Sequence, residues 1–285
     1  MRISRTAVLL CLCALIPLSL AAQQSSGPQN SQTTLILQQA LAALTGGAPV
    51  TDVTMTGTVT DTVAPARADQ PPSTDSGTIT FVATAAGQGE SVVSTSSENR
   101  TEIRDISSGS PVLKEKGADG IAHTVTTQSA ASPHPAWFYP AMLLESGLSS
   151  TSYASSYVGQ ETWNGVSAQH VSLWLLPSAS STSPQFAREF TQQEIYLDPS
   201  SLLPLGVTFT IHPYDPANPN RPIMPYRDET LDGIEQASFS DYRQVQGRPV
   251  AFHIHSAMNA GATRIVTDIQ FSSISFNTGA TIAAN

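Results

Sequence analysis

The sequence predicts a mainly β protein with few helices, in which a curled antiparallel sheet forms an incomplete or half barrel covered by one or two helices. Three observations predict this fold. From Val53 onward, apolar residues often alternate with polar ones, which is the period of a strand with one buried face. The pair Asn164-Gly165 separates two such runs, as in a tight hairpin. Helical spacing occurs in only two short segments, which are therefore the available cover for the apolar face of the sheet.

The two predicted helices cover residues 33–44 and 141–147. The first can be capped by Ser31 or Thr33, and the glycines that follow it end it. One face of this helix is apolar and is formed by Leu37, Ala40, Leu41 and Leu44. A helix of about 12 residues is marginally stable alone, so this face must pack on another part of the protein. The second helix follows the aromatic stretch Trp137-Phe138-Tyr139, which is interpreted either as a lid over a cavity or as a core plug beneath a crossing loop.

The predicted strands fall mainly in the second half of the chain. In the first half, strands over residues 53–59 and 78–83 flank a Pro-rich loop over residues 64–76. The strongest local prediction is the Asn164-Gly165 hairpin, because a type I′ turn needs two residues that accept positive φ. Its strands cover residues 157–163 and 166–176. The remaining predicted strands cover residues 193–198, 205–212, 237–245, 250–257 and 263–276, the last with a break at Ser272-Ser273.

The first 22 residues have the order of a secretory signal peptide. Two arginines are followed by an apolar run over residues 7–20, and small residues at Ala21 and Ala22 supply a cleavage site. The run is shorter than the ~20 residues that a membrane-spanning helix needs. We therefore expect an exported protein, located in the periplasm or outside the cell.

Both cysteines of the chain, Cys11 and Cys13, lie in this segment. Its removal would leave no disulfide, no cysteine nucleophile and no thiolate metal ligand. A second apolar stretch of spanning length does not occur in the sequence, so the mature chain is expected to be soluble. We expect residues 23–32 to be a disordered leader and residues 33–285 to form one domain.

The charge of the chain is acidic, with 13 basic and 22 acidic side chains and a formal net charge of −9. Two of the basic residues and none of the acidic ones belong to the expected signal peptide, so the mature chain is more acidic still. This balance argues against binding to nucleic acid and against electrostatic docking on anionic lipid.

Two histidines of one predicted strand, His253 and His255, are the best candidates for metal ligands. They point to the same side of the strand because they are two residues apart. The sequence places no third ligand beside them, and Phe252 and Ile254 take the opposite face. We therefore expect both histidines to face solvent, and we expect no metal site and no cofactor.

Catalytic motifs are absent from the sequence. A G-x-S-x-G motif does not occur, since residues 165–169 lack the final glycine and lie in the predicted hairpin. Neither H-E-x-x-H nor a P-loop occurs. The acid pairs Asp228-Glu229 and Asp232/Glu235 lie in sequence that reads as loop, which gives glycosidase chemistry no support.

The second half of the chain carries a distinctive order of turns and strands. A strand ending in Asp-Pro and followed by Leu-Pro precedes a strand ending in Gly, a strand led by Pro and a last strand closing on Asn. The segments are Ile195-Tyr196-Leu197-Asp198-Pro199, Leu203-Pro204, residues 239–247, Pro249 with Phe252-His253-Ile254, and residues 269–277. With the N-terminal helix, this order resembles the bacterial lipoprotein-carrier superfamily (LolA/LolB-like). It resembles more closely uncharacterised secreted proteins that have a similar Trp-Phe-Tyr-Pro stretch.

The resemblance implies an incomplete antiparallel barrel around helices, with an apolar cavity for acyl chains. No ligand-binding residue of the family transfers by motif, so candidates come from the inward-facing apolar positions and the aromatic stretch. The candidates for lining the cavity are Trp137, Phe138, Phe209, Ile211, Phe252 and Ile254. We expect a non-catalytic exported protein that holds a lipid or other hydrophobic ligand. The alternative is a cell-envelope structural or protein-interaction module with a self-filled core and an unknown envelope partner; a hydrolase is the least favoured class.

Overall fold

The computed structural model describes residues 31–64, 71–105, 112–116, 120–124, 135–149, 152–176, 188, 191–211, 233–260 and 263–282. Within these residues the helices are α1 (Ser31–Thr45) and α2 (Ala141–Ser149), and a 3₁₀ turn covers Ala136–Phe138. The strands of the first half are β1 (Asp52–Ala64), β2 (Ser73–Thr84), β3 (Gln88–Thr95), β4 (Asn99–Asp105), β5 (Val112–Lys116) and β6 (Ala122–Thr124). Those of the second half are β7 (Tyr153–Trp163), β8 (Val166–Leu175), β9 (Gln193–Leu197), β10 (Pro204–Ile211), β11 (Gly233–Val245), β12 (Arg248–Ala260) and β13 (Thr263–Phe276).

All strands of the described residues belong to one antiparallel sheet of 13 strands, which confirms the predicted fold class. The chain builds β1 to β6 outward to one edge and then crosses to the other edge. There β7 begins a return through β8 to β12, and β13 closes the return by pairing with β1, with Phe276 opposite Val53. In the described part of the chain the sheet is not closed, because β6 and β7 are its two edges. The 3₁₀ turn and α2 lie in the crossing segment.

Helix α1 is attached to the sheet by both apolar and polar contacts. Leu37, Ala40 and Leu44 are buried, as the sequence predicts, and Leu41 is partly buried. The hydroxyl of Thr33 does not cap the helix but accepts a hydrogen bond of 2.7 Å from the backbone N–H of Tyr157 on β7. The helix begins at Ser31, and the expected signal peptide lies outside the described residues. Among the described residues, no helix is long and apolar enough to span a membrane.

The predicted hairpin at Asn164-Gly165 is confirmed. Trp163 and Val166 are paired across it, and the two turn residues have φ values of +47° and +83°. These two positive values are those that a type I′ turn requires. Asparagine and glycine tolerate this backbone region better than other residues, which is why the pair determines the turn.

The Asp-Pro and Leu-Pro stretch between β9 and β10 forms a tight turn. The carboxylate of Asp198 accepts hydrogen bonds from the backbone N–H groups of Ser200, at 3.0 Å, and Ser201, at 2.7 Å. Hydrogen bonds from Ser200 and Ser201 lower the pKa of Asp198 to about 2. The side chain therefore stabilises the turn, and this part of the family-like motif is structural.

The structure differs from the predictions mainly in the first half of the chain. Strands β3 to β6 have no counterpart among the predicted strands. The predicted loop over residues 64–76 is shorter than expected, since β2 already begins at Ser73. Strand β13 is not broken but carries a bulge at Ser272, because Thr56 pairs with Ser273 and Gly57 with Phe271. The Pro-rich segment over residues 213–225 lies outside the described residues.

Candidate ligand cavity

A cavity of about 650 Å³ lies against the sheet beside the 3₁₀ turn. It is lined by strands from both halves of the chain, which the β1–β13 pairing brings together. Its apolar lining consists of Val59, Val63, Ile79, Val93, Leu113, Trp137, Phe138, Phe209, Ile254, Met258, Ile265 and Ile269. Its volume lies within the range of roughly 300–1,000 Å³ that is typical of small-molecule sites.

Four of the six residues expected from the sequence line this cavity: Trp137, Phe138, Phe209 and Ile254. Phe252 is buried but is not among the described lining residues, and the guanidinium carbon of Arg243 lies 4.4 Å from the centroid of its ring. Ile211 ends β10 opposite Gly233, and its side chain lies outside what the structure describes.

The aromatic stretch is a fixed wall of the cavity. Trp137, Phe138 and Tyr139 are 2%, 2% and 4% exposed. The ring of Phe138 contacts Phe81 edge-on, and Tyr139 packs against Phe276 with ring centroids 5.8 Å apart. Burial raises the pKa of Tyr139 to about 12. The interpretation as a core plug therefore fits the structure better than a surface lid, although two of these rings also contact the cavity.

A second part of the lining is acidic. We call the carboxylates of Asp61, Glu98, Glu102 and Glu115, which surround the guanidinium of Arg100, the acidic wall. Arg100 Nε lies 3.1 Å from Glu98 Oε1, and Arg100 Nη1 lies 3.4 Å from Glu102 Oε1. The Glu102 charge is the largest cause that raises the pKa of Arg100, and the other three carboxylates add to it against the effect of burial.

The carboxylate of Glu102 is the buried member of the acidic wall. Its residue is 6% exposed, and its Oε2 accepts a hydrogen bond of 3.3 Å from the hydroxyl of Ser91. Ser91 and Glu115 are its neighbours in the sheet, on β3 and β5. Asp61 accepts a hydrogen bond from the hydroxyl of Thr267 on β13. The acidic wall is therefore held by neighbouring strands of the sheet.

Two further acids line the cavity, Asp75 and Glu235. Hydrogen bonds from the hydroxyls of Ser96, Ser97 and Thr95 hold the pKa of Asp75 far below its usual range. Glu235 lies in β11 and pairs with Phe209 and Met258, which corrects its prediction as a loop residue.

Sequence reasoning missed the acidic wall because it missed the strands that carry most of it. Strand β4 places Arg100 and Glu102 toward the cavity, so a charged pattern of period two replaces the usual apolar one. Apolar alternation is the pattern that predicts a strand, and polar inward-facing residues do not show it. The alternation of charges over residues 98–102 is the signal that could have found them.

His253 and His255 are partly exposed, as expected, but the sheet places an acid beside them. His255 Nδ1 lies 2.8 Å and His253 Nε2 lies 3.3 Å from Oδ1 of Asp268 on β13. Partial burial acts to raise the pKa of Asp268, but the hydrogen bond from His255 outweighs it, and the pKa is lowered. Within the described ranges, no group of three His, Cys, Asp or Glu side chains has the geometry of a metal site.

A polar cluster on β7, β8 and β9 combines a histidine, a serine and two acids. His170 Nε2 lies 2.6 Å from Glu194 Oε2, its Nδ1 lies 3.0 Å from Glu161 Oε1, and its ring stacks on Tyr196. The hydroxyl of Ser172 donates to Glu194 Oε2 at 2.5 Å. Ser172 is therefore hydrogen-bonded to the carboxylate of Glu194 and not to His170. In serine catalysis the serine hydroxyl is instead hydrogen-bonded to a base such as histidine, so this cluster lacks that arrangement.

No family model matches the chain, and no curated protein matches it. Among solved structures, the chain is similar to a putative outer membrane lipoprotein-sorting protein domain from Vibrio parahaemolyticus. The two are 15% identical, the match covers 87% of this chain and 93% of that one, and the TM-score is 0.49. A DUF1329 family protein from Desulfovibrio piger is 11% identical over 87% of this chain and 95% of that one, with a TM-score of 0.46.

A LolA superfamily protein from Nitrosomonas europaea is also similar, with 11% identity, a TM-score of 0.47 and coverage of 86% of this chain and 93% of that one. At these identities the similarity concerns the fold alone. The solved structures to which the chain is similar thus include a protein of the LolA superfamily.

Proposed function

We propose that the protein is a non-catalytic exported carrier that holds one acyl or alkyl chain in the cavity. Residues 33–285 would act as one domain after removal of the first 22 residues. The observation that carries the proposal is the apolar lining of a cavity of about 650 Å³. An interaction module whose core is filled by its own side chains would not contain such a cavity. The cavity therefore favours the carrier function over this alternative.

The expected affinity follows from the apolar contact alone. Burial of about eight methylenes at ~0.8 kcal/mol each gives ~6 kcal/mol before the ligand loses its freedom. The resulting binding is weak, which suits a carrier that must also release its ligand. We propose Trp137, Phe138, Phe209 and Ile254 as residues in contact with the chain, because all four were expected from the sequence and line the cavity.

The test is uptake of a neutral fluorescent probe, N-phenyl-1-naphthylamine, by the purified protein and by two variants. Ile254 is fully buried in the cavity wall, whereas its neighbour His253 is partly exposed on the other side of β12. Ile254→Glu should abolish uptake, and His253→Glu should leave it unchanged. Since a buried glutamate can unfold the chain, Ile254→Phe is the second variant: it remains apolar but fills space, and should weaken uptake. Probe binding that is absent in the wild type, with a folded circular dichroism spectrum, would contradict the proposal.

A further inference from the structure

A second cavity, of about 510 Å³, lies between the two helices and one end of β1 and β2. We call it the helix-side cavity. Much of its lining is apolar and comes from both helices, from the segment after α1 and from the two strands. Its apolar residues include Leu41, Val50, Val53, Ala83, Ala141 and Leu148. The helix-side cavity shares no described lining residue with the cavity of the proposed carrier function.

The two cavities lie at opposite ends of β1 and β2 and are separated by buried side chains. Met55 on β1 and Phe81 on β2 are paired, are fully inaccessible to solvent and line neither cavity. The aromatic stretch continues this separation. Phe138, which contacts Phe81 edge-on, lines the first cavity, whereas the next residue, Tyr139, lines the helix-side cavity. The two spaces are therefore separate sites.

Two hydroxyl groups of the helix-side cavity have no hydrogen-bond partner. Tyr139 is 4% exposed, and Thr84 is partly buried at the end of β2. The hydroxyl oxygen of each is buried, and neither forms a hydrogen bond with any residue that the structure describes. Buried polar groups of folded proteins are almost always hydrogen-bonded, because leaving one unpaired costs free energy. The two hydroxyls therefore indicate a partner that the protein itself does not supply.

The acid nearest to Thr84 in the sheet is already hydrogen-bonded elsewhere. Asp52 lies opposite Thr84 in the pairing of β1 with β2 and also lines the helix-side cavity. Its Oδ1 accepts hydrogen bonds from the backbone N–H and the hydroxyl of Thr278, both at 2.8 Å. Its Oδ2 accepts from the hydroxyl of Thr51 at 2.9 Å and from the backbone N–H of Gly279 at 3.0 Å. The hydroxyls of Tyr139 and Thr84 thus remain available to a ligand.

The chemistry of the two hydroxyls favours a ligand that accepts hydrogen bonds. Burial raises the pKa of Tyr139 to about 12, so its hydroxyl keeps its proton at neutral pH and can donate. No lysine or arginine occurs among the described lining residues, so an anion would have no ion-pair partner there. Water can bond a single hydroxyl, but the apolar remainder of the lining offers it few partners. An uncharged oxygen acceptor on an apolar molecule fits this lining best.

We propose that the helix-side cavity is a second binding site, which takes a small uncharged molecule with an apolar body and a carbonyl oxygen. Tyr139 and Thr84 donate hydrogen bonds to this ligand, and the apolar residues of α1, α2 and the two strands enclose its body. The site does not depend on the carrier function, because the two cavities have different lining residues.

The test uses two compounds with the same acyl chain. N,N-dimethyloctanamide is uncharged and accepts but does not donate hydrogen bonds, whereas octanoate carries a negative charge. Each is titrated into the purified protein, and binding is followed by the backbone amide resonances in ¹H–¹⁵N NMR spectra. Ala48, Val50 and Ala85 report on the helix-side cavity, and Val93 and Ile269 report on the first cavity. The amide should shift the first group saturably and bind there at least threefold more tightly than octanoate.

Two variants remove one hydroxyl each and keep most of the side-chain shape. Tyr139→Phe and Thr84→Val should each weaken binding of the amide at the helix-side cavity at least threefold. Tyr139→Phe should not lower the melting temperature of the ligand-free protein, because its hydroxyl has no hydrogen bond to lose. Tyr242→Phe is the matched control. The hydroxyl of Tyr242 donates to the backbone oxygen of Pro204 at 2.7 Å, outside the described lining, so this variant should melt at a lower temperature and bind the amide normally.

Three outcomes would overturn the inference. The first is the absence of saturable shifts at Ala48, Val50 and Ala85, including the case in which only Val93 and Ile269 respond. The second is binding of octanoate at the helix-side cavity that is as tight as that of the amide. The third is an amide affinity that neither hydroxyl deletion changes, which would mean that the hydroxyls bond to water only. Binding of N-phenyl-1-naphthylamine in the first cavity would leave the carrier function standing in each case.

Discussion

The ring of Phe138 stands edge-on to the ring of Phe81, with centroids 5.4 Å apart and ring planes inclined by 70°. Phe138 ends the 3₁₀ turn in the segment that crosses between the two edges of the sheet, and Phe81 lies on β2. This contact joins the 3₁₀ turn, whose Trp137 and Phe138 line the cavity, to β2 of the sheet.

A double-mutant cycle measures this contact. Phe81→Leu and Phe138→Leu should each destabilise the protein, and the double variant should lose less than the sum of the two. We expect a coupling energy of roughly 0.5–1.5 kcal/mol, the usual range for such aromatic pairs. Urea unfolding of the four proteins provides the free energies. Strict additivity would show that the crossing segment is held by other contacts.

The contact could not be predicted from the sequence. The aromatic stretch and helix α2 were recognisable, since prolines and helical spacing are local signals. Which strand Phe138 meets depends on the crossing between sheet edges, and local patterns do not encode that path. For the same reason, the sequence identified the apolar candidate Ile254 on β12 but not Val59 on β1. Both residues pair with Ile269 on β13, so the pairing of distant strands places them in one row.

Gly206 on β10 lies under the indole of Trp163. An added Cβ would come within 2.1 Å of the indole Cη2 and 2.5 Å of the backbone oxygen of Ala237. We expect Gly206→Ala to destabilise the protein by roughly 1–3 kcal/mol through overpacking. Trp163→Ala in the same background should recover part of this loss, but not all, because the clash with the backbone remains. Thermal unfolding of the single and double variants tests both statements, and an unaffected Gly206→Ala protein would contradict the close approach.

A substitution at Gly165 changes the strain of the backbone without introducing a steric clash. Its φ is +83°, and an added Cβ would meet no atom within 4 Å. Gly165→Val should therefore destabilise by about 1 kcal/mol or more through strain alone, because a β-branched residue resists positive φ. Gly165→Asn is the matched control and should cost less, since asparagine accepts this region. Equal melting temperatures for wild type and Gly165→Val would mean that the turn is not of type I′.

The cluster around His170 predicts a pH dependence of stability. Burial of the ring acts to lower its pKa, but the hydrogen bond and charge of Glu194, with the charge of Glu161, outweigh this and raise it above the usual value of about 6.5. The stabilisation is therefore fully present below about pH 6.5 and is lost as pH rises through the higher pKa of the folded protein. His170→Gln should show a smaller fall in unfolding free energy between about pH 6 and 8.5. Parallel pH profiles of the two proteins would refute the coupling.

Glu194, the acid partner of His170, makes a contribution to stability with the opposite pH dependence. The burial of Glu194 acts to raise its pKa, but hydrogen bonds from His170, Ser172 and Gln192 lower it below the usual value. Its contribution is therefore present above about pH 4.3 and disappears as pH falls through the lower pKa of the folded protein. Glu194→Gln should lose stability at neutral pH and show a weaker acid dependence, again measured by urea unfolding. An unchanged acid limb of the profile would show that Glu194 gains no stabilisation from this cluster.

Local structure was predictable from the sequence where a residue type or a pattern is typical of one kind of structure. Asn164-Gly165 determined a turn, and the alternation of apolar residues revealed the strands of the second half. The prediction failed where strands β4 and β5 carry charged residues on the face toward the cavity, as Glu102 does, because burial of a carboxylate depends on partners that only the assembled sheet provides. The apolar side of the candidate site was therefore predictable, and its acidic side was not.

The central claim, that an apolar chain enters the cavity, is tested most directly by quenching of tryptophan fluorescence with a brominated dodecyl ligand. The chain has three tryptophans, of which Trp137 lines the cavity, while Trp163 stacks on Tyr196 and Trp174 lies under Arg188. In the variant Trp163→Phe/Trp174→Phe, the remaining emission should be quenched saturably by one equivalent of ligand, because bromine quenches at contact. In Trp137→Phe the emission should persist. Saturable quenching in Trp137→Phe with none in the double variant would place the ligand elsewhere and contradict the account.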